Sequence, residues 1–318
     1  MKRRSENYFI PVLAFFDLLA SVTCSGTAIS DNMEYVTYPS DFLCKFLLFA
    51  GFYLTGTSAS LLLAIAIQRY LKICRPLRSQ MTLKWRRFAI AAVIFANFVY
   101  FSPVLLVAKV SPVVGNYHDI KFTGNSCLTG TGASPTFEKV YYVCVFIVVI
   151  LNICFTIGFY APIGCFLYKR TKRLQSFRSS SQVEREDNIS VKERSTASMT
   201  EAKRLSEREK STRSQNTSMT HAQSRFNAML TIIIVVYVIS YVPTCIVMLY
   251  CEVEHNFWFS LSSIELQVFV GLQKALIINH IANPIIYGFF DMNFRNEVLK
   301  LIKCKMNCAF ISKRFTSS

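Results

Sequence analysis

Long apolar runs alternate with short polar ones along this chain, and the runs share a common length. Uncharged stretches extend from Phe46 to Gln68, Phe88 to Ala108, Val140 to Tyr168 and Phe226 to Cys251. At about 1.5 Å per helical residue, each is long enough to cross a hydrocarbon layer of roughly 30 Å. Two further stretches, Tyr8 to Ser30 and Leu266 to Phe290, are apolar apart from Asp17 and Lys274. The pattern predicts six transmembrane helices, over about residues 7–30, 42–72, 84–108, 138–170, 222–251 and 260–289.

The polar intervals predict the rest. Between Lys109 and Lys139, Gly115-Asn116 and Thr123-Gly124-Asn125 are turn signals flanking short strand-like pieces, so a small hairpin lid is expected there. Residues 171–220 are rich in Ser, Thr, Lys, Arg and Glu and nearly lack aromatics. Such a segment buries too little surface to offset its ordering entropy, and it reads as a disordered loop with helical extensions at each end. After Tyr287, the positions Phe290, Phe294, Val298, Leu301 and Ile302 recur at helical spacing with Arg295, Lys300 and Lys303 between them. That describes an amphipathic helix over 291–303 lying on the inner leaflet, followed by a cytoplasmic tail over 304–318 in which Cys304 and Cys308 are candidates for lipidation.

Composition agrees with the pattern: 318 residues, 52% hydrophobic, with a mean hydropathy of +0.34, are too apolar for an ordinary soluble domain. The net charge of +16 would suit nucleic acid, but its placement argues otherwise. Three basic residues precede Tyr8, seven lie in Arg69 to Arg87, fourteen in Lys169 to Arg225 and six after Phe290, which is 30 of the 35. The alternate connections instead carry Asp31, Glu34, Asp41, Asp119, Glu138, Glu252, Glu254 and Glu265. The positive-inside rule then puts both chain ends and the long basic loop in the cytoplasm, and nucleic acid is not expected as a partner. Met1-Lys2-Arg3-Arg4 leads into a span that carries an acid and lacks a small-residue cleavage pattern, so no cleavable signal peptide is expected.

Two strings stand out at the inner ends of spans: Gln68-Arg69-Tyr70, and Asn283-Pro284-Ile285-Ile286-Tyr287. An isolated Arg is costly in hydrocarbon and a Pro inside an apolar helix gives up a backbone hydrogen bond, so both read as working parts. Asp17 is the most costly residue in lipid, at roughly 2.5 to 3.5 kcal/mol on insertion scales. Cys44 lies 25 residues before Arg69, about 37 Å along a straight helix, and so belongs at the outer mouth. Cys127 falls in the outer loop, and a Cys44–Cys127 disulfide would tie the lid to the second span, with Cys251 or Cys24 as the other partners. Four scattered His, the absence of paired CxxC ligands and a Gly-Thr-Gly that is no phosphate cradle give no catalytic or zinc signature, so an enzyme is not expected.

Together these features resemble the rhodopsin-like, or class A, family of G-protein-coupled receptors. Leu13-Ala14-Phe15-Phe16-Asp17-Leu18 looks like that family's second helix. Cys44 through Gln68-Arg69-Tyr70 and Arg75-Pro76-Leu77 looks like its third, Val242-Pro243 its sixth, and Asn283 to Tyr287 with Phe294-Arg295 its seventh and eighth. The likeness covers about residues 7–172 and 221–308 and implies an all-α bundle of the seven-transmembrane-receptor type. The family has seven spans, so the first helix is expected to be missing, through a gene start placed too late rather than a genuine truncated product.

The resemblance also implies roles. Asp17, Ser58, Asn279 and Asn283 match positions that surround a sodium ion in the inactive state, with His280 standing where a small hydroxyl is usual; no other cofactor is implied. Arg69 matches the activation switch, normally held by an adjacent carboxylate, but here Gln68 and Gln223 are neutral, which predicts raised basal signalling. Tyr160 and Tyr287 match tyrosines that swing toward this Arg, and Pro243 marks the kink of the sixth helix. Tyr241 replaces the usual Trp, Tyr237 the usual Phe, Asn152 the fifth-helix Pro and Ala59 an Ile.

Gly51 stands where amine receptors carry an Asp, and Ile277 where opsins carry the retinal lysine, which argues against both ligands. The acidic rim and the lid would suit a basic peptide. Lys274 is expected to snorkel or to touch the missing first helix. The implied function is transduction of an extracellular ligand into heterotrimeric G-protein activation at the plasma membrane, with arrestin and receptor kinases as further partners. Arg69, Tyr70, Pro76, Leu77, Tyr160 and Tyr287 would contribute to the inner surface. The rivals are a polytopic transporter or channel, for which no internal repeat is visible, and a non-signalling receptor fragment.

Overall fold

The structure is a computed structural model that describes residues 8–33, 40–77, 80–117, 120–129, 134–189, 225–250, 261–290, 294–296 and 299–300. The first helix, α1, runs Phe9–Met33, and α2 runs Asp41–Cys74. Asp41 in the first turn and Lys72 in the last complement the helix dipole of α2, and the chain leaves it at Arg75, the residue before Pro76. The third helix, α3, spans Leu83–Phe101, opened by the Thr82 hydroxyl, which accepts from the Trp85 N–H at 3.4 Å.

The expected span over about residues 84–108 corresponds to the membrane-length apolar stretch Leu83–Val107, which is not one unbroken helix. Ser102 and Pro103 turn the chain into a short α4, Val104–Val107, and a strand begins at Ala108. The hairpin itself is present: β1, Ala108–Tyr117, pairs antiparallel with β2, Ile120–Thr129. Its turn falls between Tyr117 and Ile120, whereas both expected turn signals are inside the strands, with Gly115 opposite Phe122 and Gly124 opposite Val113. Local turn propensity yields here to continuous pairing along ten residues of each strand.

Helix α5 runs Pro135–Ile189, with Pro at the first helical position, where its missing N–H costs nothing. It extends well past the membrane-length portion Thr136–Lys169, and residues 171–189 form the helical extension expected at this end of the loop. The Lys, Arg, Gln and Glu of that stretch are good helix formers and continue a helix already nucleated by the apolar span. The remainder of that loop up to 224 lies outside the described residues.

Helix α6 is Arg225–Tyr250. The predicted sixth span is divided in two: α7, Ser263–Gln273, and α8, Leu276–Phe290, with a turn at Lys274 and Ala275. The start of α7 is a capping box, in which the Ser262 hydroxyl accepts from Glu265 N–H at 3.5 Å and Glu265 accepts from Ser262 N–H at 2.9 Å. The break is met from α6 by the Thr244 hydroxyl, whose single proton has Leu272 O at 3.1 Å and Gln273 O at 3.4 Å within reach beside Ser240 O of its own helix at 3.2 Å. Bonds from Ile277 N–H to Lys274 O and from Ile278 N–H to Ala275 O then restart the helix. Five helices are therefore long and apolar enough to cross a membrane, and two shorter apolar ones accompany them, among the described residues. Residues 294–296 and 299–300 are helical, and the rest of the expected amphipathic helix and the whole of the tail, with Cys304 and Cys308, lie outside the described residues.

The centre of the bundle is α2, which packs against α1, α3 and α5, while α8 packs on α1. The core joins Leu13, Phe16 and Ala20 of α1 to Leu61, Leu62 and Ile65 of α2, Met229, Ile233 and Tyr237 of α6, and Ile286 and Tyr287 of α8. A second cluster, Phe101, Val104, Val107, Ala108, Tyr141 and Val145, seals the hairpin end. Gly56 sets the approach of α3 to α2: a Cβ there would meet the Phe101 ring at 2.2 and 2.6 Å. Large apolar side chains such as Val22, Phe95 and Phe289 cover the outside, as a bundle solvated by lipid requires.

Candidate functional site

The described polar groups of the bundle interior fall into three zones along its axis. The hairpin end is pinned by the Cys44–Cys127 disulfide, with Cα atoms 5.6 Å apart, joining the first turn of α2 to β2. This is the expected pairing; Cys24 is a free thiol beside Thr55, and Cys251 lies outside the described residues. Asp41 reinforces the junction, accepting from Val110 N–H at 3.1 Å and pairing with Lys45 at 2.8 Å. Lys274 stands at the α7–α8 break, half-buried and within electrostatic reach of Cys24.

At mid-bundle, Asp17 is completely buried, and three donors converge on it from two other helices. The Ser58 hydroxyl donates to Oδ1 at 2.5 Å, His280 Nδ1 sits 2.9 Å from the same oxygen, and Asn283 Nδ2 donates to Oδ2 at 2.8 Å. His280 and Asn283 are three residues apart on α8, which puts them on one helical face. A carboxylate only accepts, so His280 must present Nδ1–H and Asn283 its amide nitrogen. Asn279 is also fully buried, but neither of its amide atoms has a hydrogen-bond partner. Of the four residues expected to surround sodium, the structure thus joins Asp17, Ser58 and Asn283, leaves Asn279 out of the bonded set, and adds His280.

That donor set does not fit the ion. Hard cations are held by oxygen lone pairs directed at one point, whereas two of the three groups on Asp17 are N–H donors whose hydrogens face the carboxylate.

Next to this knot lies an aromatic pair. The Tyr237 and Tyr241 rings are 4.4 Å apart, the Tyr237 hydroxyl donates to Asn152 Oδ1 at 2.9 Å, and the Tyr241 hydroxyl donates to Thr55 O at 3.2 Å. Tyr237 and Asn152 complement each other: the amide at 152 supplies the acceptor that the hydroxyl at 237 needs once buried. Reading the two positions separately along the sequence could not reveal the pairing, because they are 85 residues apart.

At the end opposite the hairpin, Gln68 and Arg69 are buried, and Tyr70 packs its ring 5.5 Å from Phe159 of α5. The Arg69 guanidinium carbon lies 4.1 Å from the centre of the Phe226 ring on α6, a cation–π contact. Gln223 lies outside the described residues. Tyr160 is within electrostatic reach of both Arg69 and Tyr287, and the hydroxyls of Tyr160 and Tyr287 are buried with no hydrogen-bond partner. Tyr287 also packs on Phe294, 5.9 Å between centres. Arg75, Pro76 and Leu77 form an exposed turn. Pro243 and Pro284 are half-buried inside α6 and α8. Phe226 is the residue that sequence reasoning missed; its signal was an aromatic at the start of the apolar run, three positions after Gln223.

The family model described as the 7 transmembrane receptor (rhodopsin family) matches residues 1–287. Among characterised relatives, the chain is 31% identical over 122 residues to a QRFP-like peptide receptor of Branchiostoma floridae, covering 38% of this chain and 32% of that one. It is 30% identical over 117 residues to the RYamide receptor of Drosophila melanogaster, covering 36% and 25% of the two chains. To Melanopsin-B of Xenopus laevis it is 25% identical over 305 residues, 95% of this chain and 49% of the other, so it spans half or less of the length of each relative. With a buried Arg at one end, an acid knot at mid-bundle and a disulfide-pinned hairpin at the other end, the chain belongs to the rhodopsin family of seven-transmembrane receptors.

Proposed function

We propose that this chain transduces an extracellular ligand into nucleotide exchange on a heterotrimeric G protein. The observation that carries the reading is Arg69, buried at the end of α2 with its guanidinium against the Phe226 ring of α6. Moving the Arg69 end of α6 away from α2 removes that cover and opens a groove between α2, α5 and α6. An amphipathic helix of the Gα subunit would enter it, contacting Arg69 and the exposed Arg75-Pro76-Leu77 turn. Tyr160 and Tyr287, whose hydroxyls have no partner in this state, would turn toward the freed guanidinium. The two states differ in what covers one cation, and a ligand shifts the balance by its differential affinity for them.

One of the relatives is named as a peptide receptor, and the acidic residues of the outer connections suit a basic peptide. Gly51 supplies no counter-ion for an amine, and aliphatic Ile277 cannot form a Schiff base. The receptor would sit in the plasma membrane with both ends of this chain in the cytoplasm, where the basic loops lie, and would be available there to arrestin and receptor kinases.

The test is guanine-nucleotide exchange on purified G-protein heterotrimers by membranes carrying this chain, against Arg69→Ala and Gln68→Glu. Exchange should be lost in the first and fall in the second, because an adjacent carboxylate adds a charged hydrogen bond contributing about 1.5 to 3 kcal/mol to the closed state. Coupling that survives Arg69→Ala, or basal exchange that stays level or rises in Gln68→Glu, contradicts the reading.

A further inference from the structure

The polar knot at mid-bundle carries a conclusion of its own. Asp17, Ser58, His280 and Asn283 are each essentially inaccessible, so a cation at Asp17 would have to find its ligands among the groups already there. A carboxylate has about four lone-pair directions. Three are taken, two of them on Oδ1, by Ser58 at 2.5 Å and His280 at 2.9 Å. The imidazole offers no oxygen, and its N–H occupies the approach to Oδ1 that a small hydroxyl at position 280 would leave open.

Asn283 directs its amide nitrogen at Oδ2, and a planar amide cannot aim both ends at one point, so its own oxygen faces elsewhere. The Asn279 and Asn283 oxygens have no hydrogen-bond partner, yet neither is bonded to the carboxylate group. The Asp17 carboxylate is satisfied from within the protein, while His280 Nε2 and the Asn279 amide nitrogen also lack hydrogen-bond partners.

We infer that His280 occupies the place of the sodium ion: its Nδ1–H, held 2.9 Å from Asp17 Oδ1, makes this bundle insensitive to sodium, and shortening residue 280 to a hydroxyl opens a sodium site. Any driving force for closing the bundle that an ion would supply is instead built into α8, so it is independent of the salt gradient across the membrane. The inference does not rest on coupling to a G protein.

The experiment is the thermal unfolding midpoint of the purified full chain in sodium chloride and in choline chloride of equal ionic strength. The wild type should unfold at the same temperature in both. His280→Ser should gain a sodium-dependent rise of about 2 °C or more, and His280→Ser with Asp17→Asn should lose it again.

A wild-type midpoint that rises in sodium, and no longer does so with Asp17→Asn, overturns the inference. So does a folded His280→Ser chain that ignores sodium. Should His280→Ser fail to fold, sodium-23 line broadening on the wild type against Asp17→Asn decides: equal widths support the inference, and excess broadening in the wild type overturns it. None of these measurements involves nucleotide exchange, so failure here leaves the coupling proposal standing and the reverse also holds.

Discussion

The Arg69 guanidinium sits over an aromatic ring of α6, with its central carbon 4.1 Å from the centre of the Phe226 ring. Neutral residues at 68 and 223 suggest a cation with little to hold it, yet the aromatic face offers a partner that needs no charge. Replacing Phe226 by Leu keeps the apolar bulk and removes the π-face, at a cost of about 0.5–2 kcal/mol to the closed state. Basal nucleotide exchange should rise several-fold in Phe226→Leu and stay near wild type in Phe226→Tyr. Ring fluorination by unnatural amino-acid incorporation should raise it in steps with fluorine number; a flat series would remove the ring electrons from the account.

Tyr237 and Asn152 should behave as a unit. Tyr237→Phe strands a buried amide and Asn152→Ala strands a buried hydroxyl, each costing about 1–3 kcal/mol. The double substitution leaves no orphan and should cost less than the sum, a coupling of roughly 0.5–3 kcal/mol in a double-mutant cycle on thermal or denaturant unfolding. Strict additivity would show that the 2.9 Å contact contributes nothing.

Gly56 is where α3 comes closest to α2. In Gly56→Ala the new methyl meets the buried Phe101 ring, and overpacking should cost about 1–3 kcal/mol. Adding Phe101→Leu should recover much of the lost unfolding temperature in Gly56→Ala while lowering it in the otherwise wild-type chain; equal effects in both backgrounds would argue against the clash.

The break between α7 and α8 has a hydroxyl from a neighbouring helix within hydrogen-bond reach. Thr244→Val is nearly isosteric and removes the group that meets Leu272 O and Gln273 O. Amide hydrogen exchange at Ala275 to Ile278 should quicken in Thr244→Val and remain slow in Thr244→Ser. Unaltered exchange in the Val variant would mean that the break is held by the chain's own bonds.

The disulfide closes 83 residues of sequence. Loss of a native bridge typically costs about 2–5 kcal/mol. Cys44→Ser, Cys127→Ser and the double variant should therefore show one common drop in unfolding temperature and in surface expression. A double variant markedly worse than either single one would indicate that the thiols act separately.

Much of the molecule was legible in the chain because a membrane imposes a simple rule, that apolar length equals a span. α1, α2, α5 and α6 were readable for that reason, as were the hairpin and the bridge between Cys44 and Cys127. Single exceptions to apolarity, Asp17 and Arg69 above all, marked the polar centres, since only a compensated charge persists in such surroundings.

What one-dimensional reading could not supply was pairing. The resemblance put His280 at the Asp17 site, but nothing along the chain shows that these two, 263 residues apart, share a hydrogen bond, or that Asn152 accepts from Tyr237. Nor could hydropathy see the break at Lys274, because Thr244 of another helix meets it, or the shift of the hairpin turn, because strand pairing overrode the local glycines. The sequence by itself determined which segments enter the membrane and which residues there are too polar to be idle. Only the tertiary structure decided their partners, because burial makes each polar group seek the donor or acceptor that packing, not chain distance, brings within 3 Å.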